Sequence, residues 1–350
     1  MSDFTLSGRE YFDALPQPVL LYGSAIEYCN SAACALFAGQ RLKPGAPLPA
    51  GLPEPGLAPC AATLTLDSGT WAVELRVLED GVLYLLTPLP EEDDEALAQM
   101  HSLSTQLRLG LSRTVLSVDL LQSQLSELER KRSADSVARL NRNLYQLLRM
   151  SDHLSLCTRT QRELQLLFPP DPVNLNSFCQ ELYYTLEPML LSMSRTLRCD
   201  LTDEALNVDV HRELLLRLIY NLISNATAAG VDLTLTLRRR GDRAVLTLTD
   251  TGAGVPPDRM SRLFLPTGTE RNLALGLTLC RRIAALYDGQ FMLSPQKKGT
   301  TVSLSLPLRK PRDEDEIPHH GIDVVSGYDL LLSELSPYFP DDFYHVGEEE

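Results

Sequence analysis

The sequence predicts an α+β chain of several domains, and three observations carry that prediction. The chain has 350 residues, more than one hydrophobic core of ordinary size usually organises. Residues 91–168 contain no proline and a single glycine, Gly110, in a chain with 23 prolines, so this stretch is free to be long helix. Short strand-like runs precede it, and helix-like and strand-like runs alternate after Pro169. Four segments are expected on these grounds: 1–90, 91–168, 169–310 and 311–350.

Composition narrows the class. With 44% hydrophobic and 22% charged residues the chain reads as globular, no apolar run is long enough to span a bilayer, and the first ten residues, MSDFTLSGRE, lack the pattern of a signal peptide. A cytoplasmic protein is expected. The seven cysteines are scattered and contain no Cys-x-x-Cys pair, which favours reduced thiols over disulfides or zinc ligands. Residues 311–350 hold twelve acidic residues against one arginine, accounting for −11 of the net −14 and leaving the rest near −3. The acidity therefore belongs to a tail, and nucleic acid is not expected as a partner.

In the first segment QPVLLYG and AIEYCN read as two strands, SAACALFAG as a short helix led by Asn30, and residues 61–89 as a three-strand meander turning at Asp67-Ser-Gly69 and Glu79-Asp-Gly81. Six prolines between Lys43 and Pro59 exclude regular structure there. This order resembles a PAS sensor domain with its middle helices shortened. No histidine precedes residue 101 and no flavin-reactive cysteine motif is visible, so no ligand is assigned.

Through 91–168, apolar residues including Leu97, Met100, Leu103, Leu107, Leu111 and Leu121 advance in steps of three or four, and Val137, Leu140, Leu144, Leu147 and Leu154 repeat the pattern after the polar run ERKRSAD. This predicts an antiparallel helical hairpin turning near residue 131. Two helices alone bury little, so pairing with a second copy into a four-helix bundle is expected.

Beyond Pro172 the pattern predicts an α/β sandwich: helices near 176–194, 211–228 and 275–287, and strands near 197–201, 206–210, two within 231–250, then GQFMLS and TTVSLSLPL. Two motifs within it, LLLRLIYNLISNATAAG and DTGAGVP, followed by GTTVSLSLP, resemble in order and spacing the Asn box and first glycine box of the histidine kinase ATP-binding domain. That fold is shared with topoisomerase, chaperone and mismatch-repair ATPases. The resemblance implies ATP and Mg²⁺ as cofactors. Asn225 would offer its carbonyl oxygen to Mg²⁺, with Asn221 one helical turn earlier on the same face. Asp250 would accept a hydrogen bond from the adenine amine, and Gly252 and Gly254 would let the backbone approach the base.

The second glycine box departs from the family's Gly-x-Gly-Leu-Gly-Leu, reading Asn272-Leu-Ala-Leu-Gly-Leu277 and keeping only Gly276. Ala228 stands where the family commonly has Lys or Arg, with Arg262 and Arg271 left as compensating cations. Weakened nucleotide binding is expected. The hairpin departs further. Aligning Leu107-Arg108 with the family's His-Glu-Leu-Arg-Thr-Pro-Leu puts Thr105 at the acceptor His, Gln106 at the adjacent acid and Gly110 at the proline. A threonine hydroxyl without a base is a poor nucleophile, and its phosphoester would not pass phosphate to a response-regulator aspartate. His101, one turn earlier, is the alternative acceptor, and His153 is expected level with Gly110.

The tail segment DVVSGYDLLLSELSPYFP is amphipathic, so Leu330, Leu331, Leu335 and Phe339 are expected to dock on the sandwich or on a partner, between flanks that look unstructured. Together these readings describe a histidine kinase-like signalling protein, a homodimer or a heterodimer with a related kinase, with a response regulator as a further partner and His autophosphorylation lost. The alternatives are an active sensor kinase using His101 and, less favoured because Asn221 stands where hydrolases place a Glu base, an ATP hydrolase of the same fold.

Overall fold

The computed structural model describes residues 12–13, 15–40, 42–55, 60–66, 68–78, 81–88, 94–228, 232–255, 271–296, 298–309 and 330–344. Strands β1 (Val19–Tyr22) and β2 (Ile26–Cys29) are followed by helix α1 (Ser31–Leu36), then by β3 (Cys60–Leu66), β4 (Gly69–Leu78) and β5 (Gly81–Pro88). These five strands are antiparallel in the order β2-β1-β5-β4-β3. Asn30 makes the corner: its buried Oδ1 accepts from the backbone N–H of Val19 at 3.0 Å and of Ala33 at 2.9 Å, capping α1 and tying it to the first strand. Both hairpins close on glycine, through the pairs Leu66↔Gly69 and Leu78↔Gly81. A Cβ at Gly81 would lie 2.7 Å from the carbonyl oxygen of Tyr22, so a larger residue there would force the backbone to shift.

Two long helices follow, α2 (Asp94–Gln124) and α3 (Glu127–Thr158). The chain turns at Leu125–Ser126 rather than near residue 131, and the polar run at 129–135 is helical. Ser126 and Glu129 form a capping box, with the Ser126 backbone N–H donating to Glu129 Oε2 at 3.0 Å. The earlier turn shifts the register between the helices: Ser151 Oγ donates to the carbonyl of Ser104, which puts His153 near the level of Ser104 and His101, not Gly110. A second capping box at Thr160 restarts the chain as α4 (Gln161–Leu167), a break not expected from the sequence.

The remaining elements are β6 (Asp171–Asn174), α5 (Leu175–Ser192), β7 (Leu197–Leu201), β8 (Asn207–Val210), α6 (Arg212–Ala228), β9 (Leu233–Arg240), β10 (Arg243–Asp250), α7 (Arg271–Leu286), β11 (Gln290–Pro295), β12 (Thr300–Pro307) and α8 (Leu330–Leu335). Strand β6, unforeseen because it is short and contains Pro172, pairs with β8 in a small sheet of two. The others form a mixed sheet, β11-β12-β10-β9-β7, in which β7 runs parallel to β9. Alternate residues Leu233, Leu235 and Leu237 of β9, with Leu246 and Leu248 of β10, bury one face under α5, α6 and α7. The opposite face carries polar pairs such as Thr249 with Thr301, whose hydroxyls are 3.0 Å apart.

The two larger sheets are one. Ala61 and Ala62 of β3 pair antiparallel with Leu293 and Met292 of β11, giving ten strands in continuous order. Among the described residues no helix is long and apolar enough to cross a membrane, and all seven cysteines are free.

Candidate functional site

The loop after β10 is shaped by three glycines acting on one aspartate. Asp250 closes the strand, and its Oδ1 accepts from the N–H of Gly252 at 2.9 Å. Gly254 has φ +72° and Gly299 has φ +84°, a region that side chains disfavour. A Cβ on Gly254 would lie 2.7 Å from the Gly299 carbonyl oxygen, and one on Gly299 would lie 1.9 Å from the Asp250 carbonyl oxygen. Backbone thus packs on backbone here, and Asp250 stays half-exposed beside it. Gly299 belongs to the quoted GTTVSLSLP stretch but received no role from the sequence; the signal was its position before a strand that pairs with β10.

Helix α6 supplies the other half. Asn225 lies one turn from its C-terminal end, half-buried, and its side-chain amide nitrogen is buried without a hydrogen-bond partner among the described residues. Nitrogen and oxygen of an amide are assigned by their partners, so this position amounts to one orphaned polar atom of either kind. The residue type suits Mg²⁺, a cation that takes few protein oxygen ligands and completes its shell with phosphate and water, and the amide's oxygen would be the atom to serve it.

Asn221 faces elsewhere. It is fully buried, its Oδ1 accepts from Arg149 Nη2 at 2.8 Å, and its Nδ2 lies 3.1 Å from Cys280 Sγ. Gly276 presses against it: a Cβ there would sit 2.7 Å from Asn221 Oδ1. The retained glycine of the second box therefore serves the contact between α6 and α7. Helix α7 begins at Arg271, four residues before its expected start, so Asn272–Ala274 are helical; replacing two glycines by Asn and Ala raises local helix propensity. Arg262 lies outside the described residues. The structure brings Asp250, Gly252 and Gly254 together in one loop and Asn221 and Gly276 together in another contact.

On the hairpin, Thr105 and Gln106 are exposed on α2, and the Thr105 hydroxyl donates back to the carbonyl of His101 at 3.0 Å. His101 is half-buried, with Nδ1 3.4 Å from the hydroxyls of both Ser155 and Thr158. His153 is buried in a different setting, its Nε2 2.8 Å from Glu334 Oε2.

Glu334, on α8, is the functional-looking residue that sequence reasoning missed. It is fully buried and is also approached by Arg149 Nε at 3.1 Å and Arg217 Nη1 at 3.5 Å. Burial alone would push its carboxyl upward, but His153, Arg149 and Arg217 hold it ionised down to about pH 2. Its partners stand 117 to 185 positions away, so the sequence offered only an acid set in an apolar run, LLLSEL.

Comparison with known proteins bears mainly on the ATPase-like part of the chain. Residues 210–310 match the family described as histidine kinase-, DNA gyrase B- and HSP90-like ATPase. The adaptive-response sensory kinase SasA of Parasynechococcus marenigrum (strain WH8102) is 26% identical over 260 residues, covering 69% of this chain and 65% of that protein. The alginate biosynthesis sensor protein KinB of Pseudomonas aeruginosa is 27% identical over 215 residues, 59% of this chain and 36% of its own. The chain thus spans less than two thirds of the length of these relatives. Among solved structures, full-length ShkA in complex with AMPPNP overlaps 61% of this chain and 46% of its own at 19% identity, TM-score 0.47. The chain carries an ATPase domain of the histidine kinase type and is a relative of the sensor histidine kinases.

Proposed function

We propose that the chain is a histidine kinase-like signalling protein that binds adenine nucleotide through the 169–310 domain, dimerises through the 91–168 hairpin, and has lost His autophosphorylation. The observation that carries the reading is Thr105: at the family's acceptor position the chain has an exposed hydroxyl that donates to its own helix backbone and has a glutamine, not a base, beside it. Deprotonating such a hydroxyl needs a general base within hydrogen-bond reach. Gln106 cannot serve as one.

Nucleotide binding rests on different residues. Asp250 would provide the acceptor for an exocyclic amine, Gly252 and Gly254 would let the backbone approach a planar base without side chains, and Asn225 would provide an amide oxygen. Mg²⁺, when bound through Asn225 and the phosphates, would neutralise phosphate charge. An N-terminal PAS-like input domain is supported by the antiparallel order β2-β1-β5-β4-β3 around a single capped helix. Dimerisation is supported by exposed apolar residues on both hairpin helices, among them Leu103, Leu107 and Leu121 on one and Leu140 and Leu147 on the other. The partner in such a bundle is a second copy or a related kinase, and a response regulator is the downstream candidate.

The test is incubation with Mg-ATP labelled at the γ-phosphate. No acid-labile, base-stable phosphate is expected on the wild type, and Thr105→His with Gln106→Glu is expected to create some. Phosphohistidine on the wild type that disappears with His101→Ala would overturn the reading in favour of an active kinase.

A further inference from the structure

The C-terminal segment 330–344 lies across two parts of the molecule that a kinase-like mechanism must move relative to each other. Its apolar residues Leu331, Leu335, Phe339 and Tyr344 are all buried in the core shared with the ATPase domain. Its polar groups are gripped by α3. Arg142 donates to the carbonyls of Ser336 at 3.2 Å and Pro337 at 3.3 Å and pairs with Asp341 at 3.0 Å; Asn141 donates to the carbonyl of Tyr344 at 3.3 Å. The segment is a strap with one side on the hairpin and the other on the sandwich.

Glu334 sits where the two sides meet. One carboxylate answers Arg149 and His153 from the hairpin helix and Arg217 from the ATPase helix α6. Asp152 and Glu213 share Arg217, and Arg108 shares Asp152; α3 also reaches α6 directly, through Asp152 to Arg217 and Arg149 to Asn221. Arg149 is itself held by Glu334 while it reaches Asn221, so the strap orders the arginine that occupies the Asn box. Further along, Cys157 Sγ lies 3.9 Å from the carbonyl of Leu275, and Arg282 donates to the carbonyl of Arg159, which seats α7 on the same helix. Burying a charged carboxylate is a costly way to gain stability, since an apolar side chain of like size serves as well or better. A carboxylate serves better where an arrangement has to be both specific and releasable.

We propose that residues 330–344 are an autoinhibitory strap: with Glu334 docked, the ATPase domain is locked against the second hairpin helix with Asn221 engaged by Arg149, and release of the strap frees the domain to move. What the lock regulates rests on the nucleotide-binding reading given above; the lock itself does not. A domain fixed in this way cannot change which part of the hairpin it faces, and group transfer demands reacting atoms within about 3–3.5 Å.

Amide hydrogen exchange on the full chain tests this, comparing wild type with Glu334→Gln and, independently, with Arg142→Ala, which loosens the outer end of the strap without leaving buried cations facing one another. In both variants peptides from 330–344 are expected to exchange at least tenfold faster, those from 149–158 and 275–282 are expected to rise with them, and those from 69–88 are expected to stay at wild-type rates. Faster exchange confined to 330–344 would overturn the proposal, because the strap would then hold nothing. So would unchanged exchange of 330–344 in both variants, or a uniform rise that includes 69–88. Fluorescent ADP with Mg²⁺ is titrated in parallel. If it binds neither wild type nor released variants while the exchange pattern is as expected, the strap stands and the nucleotide reading falls.

Discussion

On the proposed nucleotide-binding reading, a single atom's character at residue 250 decides whether a purine amine is recognised. Asp250→Asn exchanges a pure acceptor for a group that also donates toward the amine, and is expected to weaken adenine nucleotide binding by about 1.5–3 kcal/mol, the range of a hydrogen bond to a charged group. Calorimetric titration measures it. Glu334 makes a second prediction, in pH. Its folded-state value, about 2, lies below the ordinary 4.5, so its ionisation stabilises docking fully above about pH 4.5 and that contribution is lost as pH falls from there through 2. The groups facing it are Arg149 and His153 on α3 and Arg217 on α6, with Asp152 and Glu213 on the same arginine. The protection factors of 330–344 should therefore fall in the wild type as pH drops below about 4.5, while Glu334→Gln lacks that dependence. The motif residues were legible from the sequence because they are local: Asp250, Gly252 and Gly254 fall within five positions. Glu334 was not, because its partners come from two helices far back in the chain.

At the scale of elements, two glycines on helices should respond to alanine in opposite ways. Gly110 is exposed on α2, and a Cβ there would meet nothing within 4 Å, so Gly110→Ala is expected to stabilise by about 1 kcal/mol through helix propensity alone. At Gly276 a Cβ would meet Asn221 at 2.7 Å, so Gly276→Ala is expected to destabilise by about 1–3 kcal/mol and to displace Asn221 from Arg149. Thermal unfolding of the two variants checks both signs. Long periodic helices and alternating strands could be read directly, but their boundaries followed subtler signals. The polar run at 129–135 looked like a break, yet Glu, Arg, Lys and Ala are good helix formers, and the true start was marked by Ser126-x-x-Glu129. Strand β6 escaped because four residues with a proline carry no period.

At the scale of the whole molecule, the join of β3 to β11 and the docked segment 330–344 make separate segments into one body. Docking of Leu331, Leu335 and Phe339 was legible from the amphipathic tail, whereas the pairing of β3 with β11 was not, because it depends on which edges remain open once each part has folded. Among the described residues, many of the exposed large apolar side chains lie on the hairpin. The full chain is expected to sediment as a dimer at micromolar concentration, and Leu107→Glu with Leu121→Glu, two apolar residues about half-exposed or more at 49% and 63%, is expected to give monomers with unchanged secondary structure by circular dichroism. The nucleotide reading is tested most directly by thermal unfolding of the full chain across a titration of Mg-ATP, because a ligand bound only by the native state must raise its stability, by about 2.7 kcal/mol at a hundred times Kd. A saturable rise in Tm is expected for the wild type, with a midpoint at least tenfold higher in nucleotide for Asp250→Asn; no rise up to millimolar Mg-ATP, or the same midpoint in both proteins, would contradict nucleotide binding at Asp250.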